Sequence, residues 1–210
     1  MELIDKHGDK KFFLGVGLIR PHVPRVPPAK YFDMYKPEKT RLEEIVENEI
    51  ADISKGGRSK TSNSYGMNTL QQQKALSAYY ASTTFMDDQV GRILDHLDKK
   101  GLREKTIVVF TSDHGWHLGE HNFWGKHNTM HLSTRIPLIV KVPGLKGAKS
   151  KSLIETVDIF PTLCELADLP KPSQLQGMSF GNILQNPQEK FREYVYSRYG
   201  PGDVIVSYKF

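Results

Sequence analysis

This chain of 210 residues has almost no cysteine. The single thiol, Cys164, rules out an internal disulfide. It lies in "DIFPTLCELADLP", a short helical pattern with Ile159, Leu163 and Leu166 on one face, and reads as a buried structural thiol. Long apolar runs are absent too. "KFFLGVGLI", Lys11–Ile19, is too short to span a bilayer, and no signal peptide is visible. The formal net charge is +5, yet no Lys/Arg run with interleaved aromatics occurs, which argues against nucleic acid as a partner. No internal repeat or low-complexity tract breaks the chain. What is present is a globular mix, 38% apolar and 25% charged, long enough to bury a core. The chain opens directly on a helix-like "ELIDKH" and stops inside the strand-like "VIVSYKF", so both ends are expected to be fragment boundaries.

Periodicity then orders the elements. Lys11–Ile19 reads as a strand buried on both faces. "RPHVPRVPP", Arg20–Pro28, has four prolines in nine residues and makes a stiff loop. "AKYFDMY" reads as a short helix. "KPEKTRLEEIVENEIADIS" has helical spacing at Leu42, Ile45, Val46 and Ile50, before a Gly/Ser-rich loop, Lys55–Asn68, expected to be mobile. The strongest helix spans Thr69–Lys100, with a stripe at Leu76, Tyr80, Thr83, Met86 or the adjacent Asp87, Val90, Leu94 and Leu97 and a stop at Gly101. Strands follow at "TIVVFTSD" and "IPLIVKVPG", a helix at Thr156–Ala167, and strand-like runs at "REYVYSRY" and "DVIVSYKF". This order predicts an α/β fold with a largely parallel sheet flanked by helices.

The chemistry concentrates in "SDHGWHLGEHNFWGKH", Ser112–His127, which holds four histidines, an aspartate, a glutamate, a lysine and three glycines. In open α/β sheets, ligands bind beyond the carboxyl ends of strands, so His22 and this loop are expected at one edge. Asp113 and His114 can supply half of a metal shell, or form a turn in which Asp caps and His is solvated. "HLGEH" fails as a zinc-protease helix, because Leu follows the first His and Gly119 weakens the helix. His117 and His121 are then polar loop histidines or substrate contacts. Lys126 can neutralise a bound oxyanion, or be a solvated lysine. His22 is either a ring aimed by stiff backbone or a surface histidine. Trp116 and Trp124 either stack on a sugar or pack the loop onto the fold.

Together, "KKFFLGVGLIRPHVPRVPPAKYFDMY", "YYASTTFMDDQVGRILDHL", "TIVVFTSDHGWHLGEHNFWGKH", "STRIPLIVKVPG" and "VDIFPTLCELADLP" resemble the sulfatase family of the alkaline phosphatase superfamily, in order and spacing. "RPHVP" and "GEHNFWGKH" are most similar to its iduronate-2-sulfatase branch. The resemblance implies an alkaline-phosphatase-like fold, incomplete at both ends, with residues 1–170 a partial catalytic domain and 171–210 the start of a C-terminal region. It implies hydrolysis of sulfate esters, of a sulfated small molecule or carbohydrate such as a glycosaminoglycan, by a formylglycine nucleophile. That residue, made in a "C/S-x-P-S-R" motif, lies upstream of this chain, and Cys164 in "TLCEL" is not it. Asp113 and His114 would bind a divalent cation, calcium, with zinc or magnesium as alternatives. Lys126 would hold sulfate oxygens, and His22 would help protonate the leaving oxygen. Trp116, His117, His121 and Trp124 are candidate substrate contacts. The fragment alone is expected to be inactive. Its expected partners are the missing N-terminal part of the same protein, or another copy through an exposed sheet edge. The family is often periplasmic, secreted or lysosomal. The other readings are a non-catalytic metal-, anion- or glycan-binding module, and a related phosphodiesterase or phosphonate hydrolase.

Overall fold

The computed structural model describes residues 1–46, 49, 51, 53–54, 57 and 65–208. Its helices, in chain order, are α1 Glu2–His7, α2 Ala29–Phe32, α3 Thr69–Lys99, α4 His131–Thr134, α5 Ile159–Leu166 and α6 Gly181–Gln185. Its strands are β1 Val108–Thr111, β2 His117–Leu118, β3 Trp124–Gly125, β4 Leu138–Lys141, β5 Tyr194–Tyr199 and β6 Gly202–Ser207. They fall into two compact units. The first comprises Met1–Ala51, Thr61–Thr106 and Trp116–Gly125; the second comprises Asp52–Lys60, Ile107–Gly115 and Lys126–Phe210.

The spine of the first unit is α3. Its first turn is closed reciprocally: Gln71 N–H donates to Asn68 Oδ1 at 3.0 Å, and Asn68 N–H to Gln71 Oε1 at 2.9 Å. Such a box satisfies backbone donors that a helix start leaves without intrahelical partners. At the other end Gly101 takes a φ of +65°, and Leu102 N–H returns to the Leu97 carbonyl at 2.9 Å, which ends the helix as its sequence predicts. Leu76 and Leu97 of the expected stripe are buried, but Ala81 and Ser82 are buried most completely. Small side chains there let the segment around α2 approach. Ser77 Oγ donates to the Tyr35 carbonyl at 2.5 Å, the Tyr35 hydroxyl lies 2.7 Å from Thr84 Oγ1, and the Tyr31 hydroxyl donates to Asp88. Helix α1 is tied to the far end of α3 by Asp5, 3.0 Å from His96 Nε2 and 2.6 Å from Lys100 Nζ. Lys100 first, then His96, hold the Asp5 carboxyl below its ordinary pKa against the opposing effect of desolvation.

The second unit is organised by β1 and β4, which pair antiparallel with Thr111 facing Leu138. Beneath α5 sits a buried ionic knot. Asp158 is 0% exposed; both its oxygens accept from Arg192 Nη2, at 2.6 and 2.7 Å, and also from the Met178 and Glu155 backbone N–H groups. Arg192 also pairs with Glu155, whose other oxygen accepts the Tyr196 N–H at 2.7 Å. Cys164 is buried, as expected of a structural thiol, but its buried companions on α5 are Pro161 and Thr162 rather than the predicted apolar face. The hairpin β5–β6 turns at Gly200, φ +56°, where only a residue without a Cβ is unstrained.

Three expectations change. The three ladders among the described residues, β1–β4, β2–β3 and β5–β6, are all antiparallel, so these residues do not by themselves make the expected largely parallel sheet. The register explains this: the loop after β1 returns the chain to the end it left, and β4 runs back along β1. Lys11–Ile19 joins no ladder among the described residues, and Phe13 (86%) and Ile19 (78%) are exposed instead of buried on two faces. The helix expected after residue 36 is confined to a single 3₁₀ turn, Pro37–Lys39, and Leu42–Val46 is not helical. Ile50 and most of the loop expected to be mobile lie outside the described residues. Each two-stranded ladder leaves unpaired outer edges among the described residues, as an incomplete sheet should. No described helix is long and apolar enough to cross a membrane.

Candidate functional site

The stretch Ser112–His127 divides between the units. Its two ends belong to the second unit and its middle to the first. At the end of β1, Thr111 Oγ1 donates to the Pro137 carbonyl at 3.0 Å and pins the strand end. The chain then turns sharply. Ser112 Oγ donates to the His114 carbonyl at 3.0 Å, and His114 N–H to Asp113 Oδ1 at 3.1 Å. Gly115 packs against the end of α4, with its N–H on the Ser133 carbonyl at 2.8 Å. A Cβ at Gly115 would lie 2.0 Å from the Leu132 carbonyl oxygen, so this close backbone approach requires glycine.

That turn aims three groups. His114 Nδ1 lies 2.7 Å from the Gly115 carbonyl and donates to it, which leaves Nε2 as the lone-pair nitrogen. Lys126 Nζ donates to that Nε2 at 2.5 Å. Asp113 Oδ2 lies 3.5 Å from the same nitrogen, and the Asp113 side chain is 85% exposed. Partial desolvation pushes the Asp113 pKa up, but His114, backbone N–H groups and Lys126 outweigh it and hold the carboxyl below its ordinary range. An imidazole lone pair thus holds an ammonium, with an accessible carboxylate 3.5 Å away. His127 stacks on Tyr199 of β5, with ring centroids 5.6 Å apart and planes 9° apart.

The middle of the stretch is a tight hairpin. Strands β2 and β3 pair His117 with Gly125 and Leu118 with Trp124. Gly119, His121 and Asn122 all take positive φ to make the turn. His117 is fully buried, its ring 6.0 Å from that of His121 and 5.8 Å from that of Phe123. Trp124 is buried as well, whereas Trp116 and His121 are half-buried. His121 Nδ1 lies 2.9 Å from Glu49 Oε1. His22, also in the first unit, is exposed. Its Nδ1 donates to the Val23 carbonyl at 2.8 Å, and Arg20 Nη1 donates to the His22 carbonyl at 3.2 Å.

The structure therefore brings Asp113, His114 and Lys126 together, and separately gathers Trp116, His117, His121 and Trp124 around one hairpin. Sequence reasoning passed over Arg25, Glu49 and Tyr199. Arg25 lay in plain view three residues after His22, but its aromatic partners come from distant segments. As a cation site the second unit offers two donors, the Asp113 carboxylate and His114 Nε2. No set of three or more His, Cys, Asp or Glu side chains suited to a metal occurs among the described residues. The donors fit part of a divalent-cation shell, and one of the two already holds Lys126.

Comparison with known proteins identifies the family. The Sulfatase family model matches residues 1–169. An arylsulfatase from Clostridium perfringens is 35% identical over 202 residues, 92% of this chain and 42% of its own length. Human iduronate 2-sulfatase is 32% identical over 240 residues, 91% of this chain and 43% of its own. The crystal structure of a phosphonate monoester hydrolase from Agrobacterium radiobacter superposes with a TM-score of 0.76 at 25% identity, over 93% of this chain and 43% of that one. The chain thus spans about two fifths of the length of the curated relatives it matches, and its mixed helix-and-strand architecture is alkaline-phosphatase-like. Match, order of motifs and fold converge: the chain belongs to the sulfatase family of the alkaline phosphatase superfamily.

Proposed function

We propose that this chain is part of a sulfatase that hydrolyses sulfate esters of a carbohydrate. The carrying observation is the junction of Lys126 with His114 Nε2 beside the exposed Asp113 carboxylate. Sulfatases are generally metal-dependent. Here Asp113 and His114 would give two ligands to a divalent cation, calcium in our reading, with the remaining ligands from outside this chain. When bound, the cation would polarise sulfate oxygens as a Lewis acid. With the cation on His114 Nε2, Lys126 gives up that nitrogen, and its ammonium would neutralise sulfate oxygens as charge shifts during S–O cleavage. His22, with Nδ1 fixed on the Val23 carbonyl, presents Nε2 to donate a proton to the departing sugar oxygen. The nucleophile, a formylglycine, is assigned to the polypeptide upstream of this chain.

Candidate sugar contacts narrow to Trp116 and His121, because His117 and Trp124 are buried in the hairpin. The end of the family match at residue 169 supports assigning 1–170 to the catalytic domain and 171–210 to the beginning of a C-terminal region. Partners follow from the same reading: a sulfated carbohydrate, and the rest of the catalytic domain. A second reading, phosphonate or phosphodiester hydrolysis, is favoured by the structural likeness to a phosphonate monoester hydrolase. Parallel assays of the full-length protein with a chromogenic sulfate ester and a chromogenic phosphonate monoester separate the two. Faster turnover of the sulfate supports the sulfatase; faster turnover of the phosphonate replaces it. The 210-residue chain alone should turn over neither.

A further inference from the structure

We infer that Arg25 is a second anion site, which takes an oxyanion of the sugar other than the sulfate being cleaved; the inference rests on the sulfated-carbohydrate reading above. The Arg25 guanidinium lies 5.0 Å from the Tyr79 ring centroid and 4.8 Å from that of Trp116. Its Nε donates to the Pro21 carbonyl at 3.4 Å. Two aromatic rings therefore occupy its surroundings, and the backbone takes one edge. The terminal Nη groups remain, a planar fork suited to a carboxylate or a sulfate.

No carboxylate is paired with Arg25 among the described residues. The nearby acid is Glu120, which influences Tyr79 but accepts the Leu118 N–H at 2.5 Å. A half-buried cation without a counter-ion is disfavoured, and an incoming anion removes that penalty. Burial accordingly pushes the Arg25 pKa down, with Tyr79 opposing it. The rings also set direction, because a guanidinium packed against two aromatic groups keeps its orientation without an ion pair.

Position ties this fork to the reaction. Arg25 follows His22 by three residues on one proline-stiffened loop, so their Cα atoms are at most about 11 Å apart. A sugar whose ester oxygen meets His22 can then bring a neighbouring carboxylate or second sulfate to Arg25. Trp116 follows His114 by two residues, so the ring that steadies Arg25 belongs to the same signature stretch. The ligand is an oxyanion on the substrate ring or its neighbour, whether a uronate carboxylate or a further sulfate ester.

The test uses the full-length protein and three sulfate esters. They are 4-nitrophenyl sulfate, with no second anion; a 2-O-sulfated uronate disaccharide, with a carboxylate; and a disulfated glucosamine, with a second sulfate. Arg25→Gln should lower kcat/KM about tenfold to a hundredfold on one of the last two, mainly through KM, and leave 4-nitrophenyl sulfate within about twofold. The substrate that suffers names the anion. Arg25→Lys keeps the charge without the fork, and should show the same selectivity with a smaller loss. Equal losses on all three substrates, or none on any, overturn the inference. Calorimetric titration with a sulfate-free uronate disaccharide and with a non-hydrolysable disulfonate separates this result from the sulfatase reading. Saturable binding of either that weakens at least about tenfold in Arg25→Gln upholds the anion site even if no ester is hydrolysed. Binding that is absent, or unchanged by Arg25→Gln, overturns it even if hydrolysis is brisk.

Discussion

The two ends of Ser112–His127 and its middle place the same residue types in opposite surroundings. At the ends, Asp113 is open to solvent and His114 shares Nε2 with Lys126. In the middle, His117 has no solvent exposure and packs against Phe123 and His121. The difference comes from backbone. Gly115 lets the first end turn against the Leu132 carbonyl with its side chains facing outward, whereas Gly119 and the positive φ values of His121 and Asn122 fold the middle onto itself. A histidine is therefore presented or buried according to the turn that carries it.

That contrast can be broken in descending order of effect. Lys126→Ala in the full-length protein should cut sulfate-ester turnover by about 100- to 1,000-fold with an unchanged melting temperature, the scale seen when a charge-stabilising donor is removed. Unchanged turnover would take Lys126 out of the site. His117→Ala should do the reverse in kind, costing about 2–4 kcal/mol of stability through the cavity it leaves. Denaturant unfolding measures the loss, and a stability within about 0.5 kcal/mol of wild type would place His117 among the presented residues. Gly115→Ala should cost about 1–3 kcal/mol by overpacking against Leu132 and should also lower turnover, because it moves the turn that aims His114. A variant that loses stability and keeps full turnover would uncouple the two. The smallest effect lies outside the stretch. Asp5 has its carboxyl pKa lowered from 3.8, first by Lys100 and then by His96. Its contribution is present above the unfolded value and is lost as pH falls through the lower folded value, so the loss belongs below pH 3.8. Asp5→Asn should flatten acid unfolding in that window slightly, while the signature stretch behaves as in the wild type; an identical acid profile would show that the tie contributes nothing measurable.

Much of this was legible in the sequence, for reasons that differ by element. Helix α3 could be read because its apolar stripe and the stop at Gly101 are local signals, whereas the Asn68–Gln71 cap emerged only in the structure. Strands β5 and β6 could be read as strand-like runs from their apolar and aromatic alternation, but their pairing as a hairpin could not. Strand Lys11–Ile19 misled, because an apolar run states a preference for burial and cannot supply the ladder partner that would make it a strand. The direction of β4 was hidden as well, since the register Thr111 to Leu138 is decided by the intervening loop. In the site, Asp113, His114 and Lys126 were visible as residue types. That Lys126 seats on His114 Nε2 depends on the ring flip fixed by the Gly115 carbonyl, a tertiary detail. Arg25 was missed because Tyr79 and Trp116, which make it notable, lie more than fifty residues away along the chain.

The bare run from Lys11 to Ile19 has a practical consequence. With Phe13, Val16 and Ile19 facing water, this polypeptide handled in isolation should light up environment-sensitive dyes and cling to plastic and resin. The same greasiness is adhesive where a partner strand is supplied. Co-production with the remaining three fifths of a relative's length should therefore quench the dye signal before any catalytic readout is attempted.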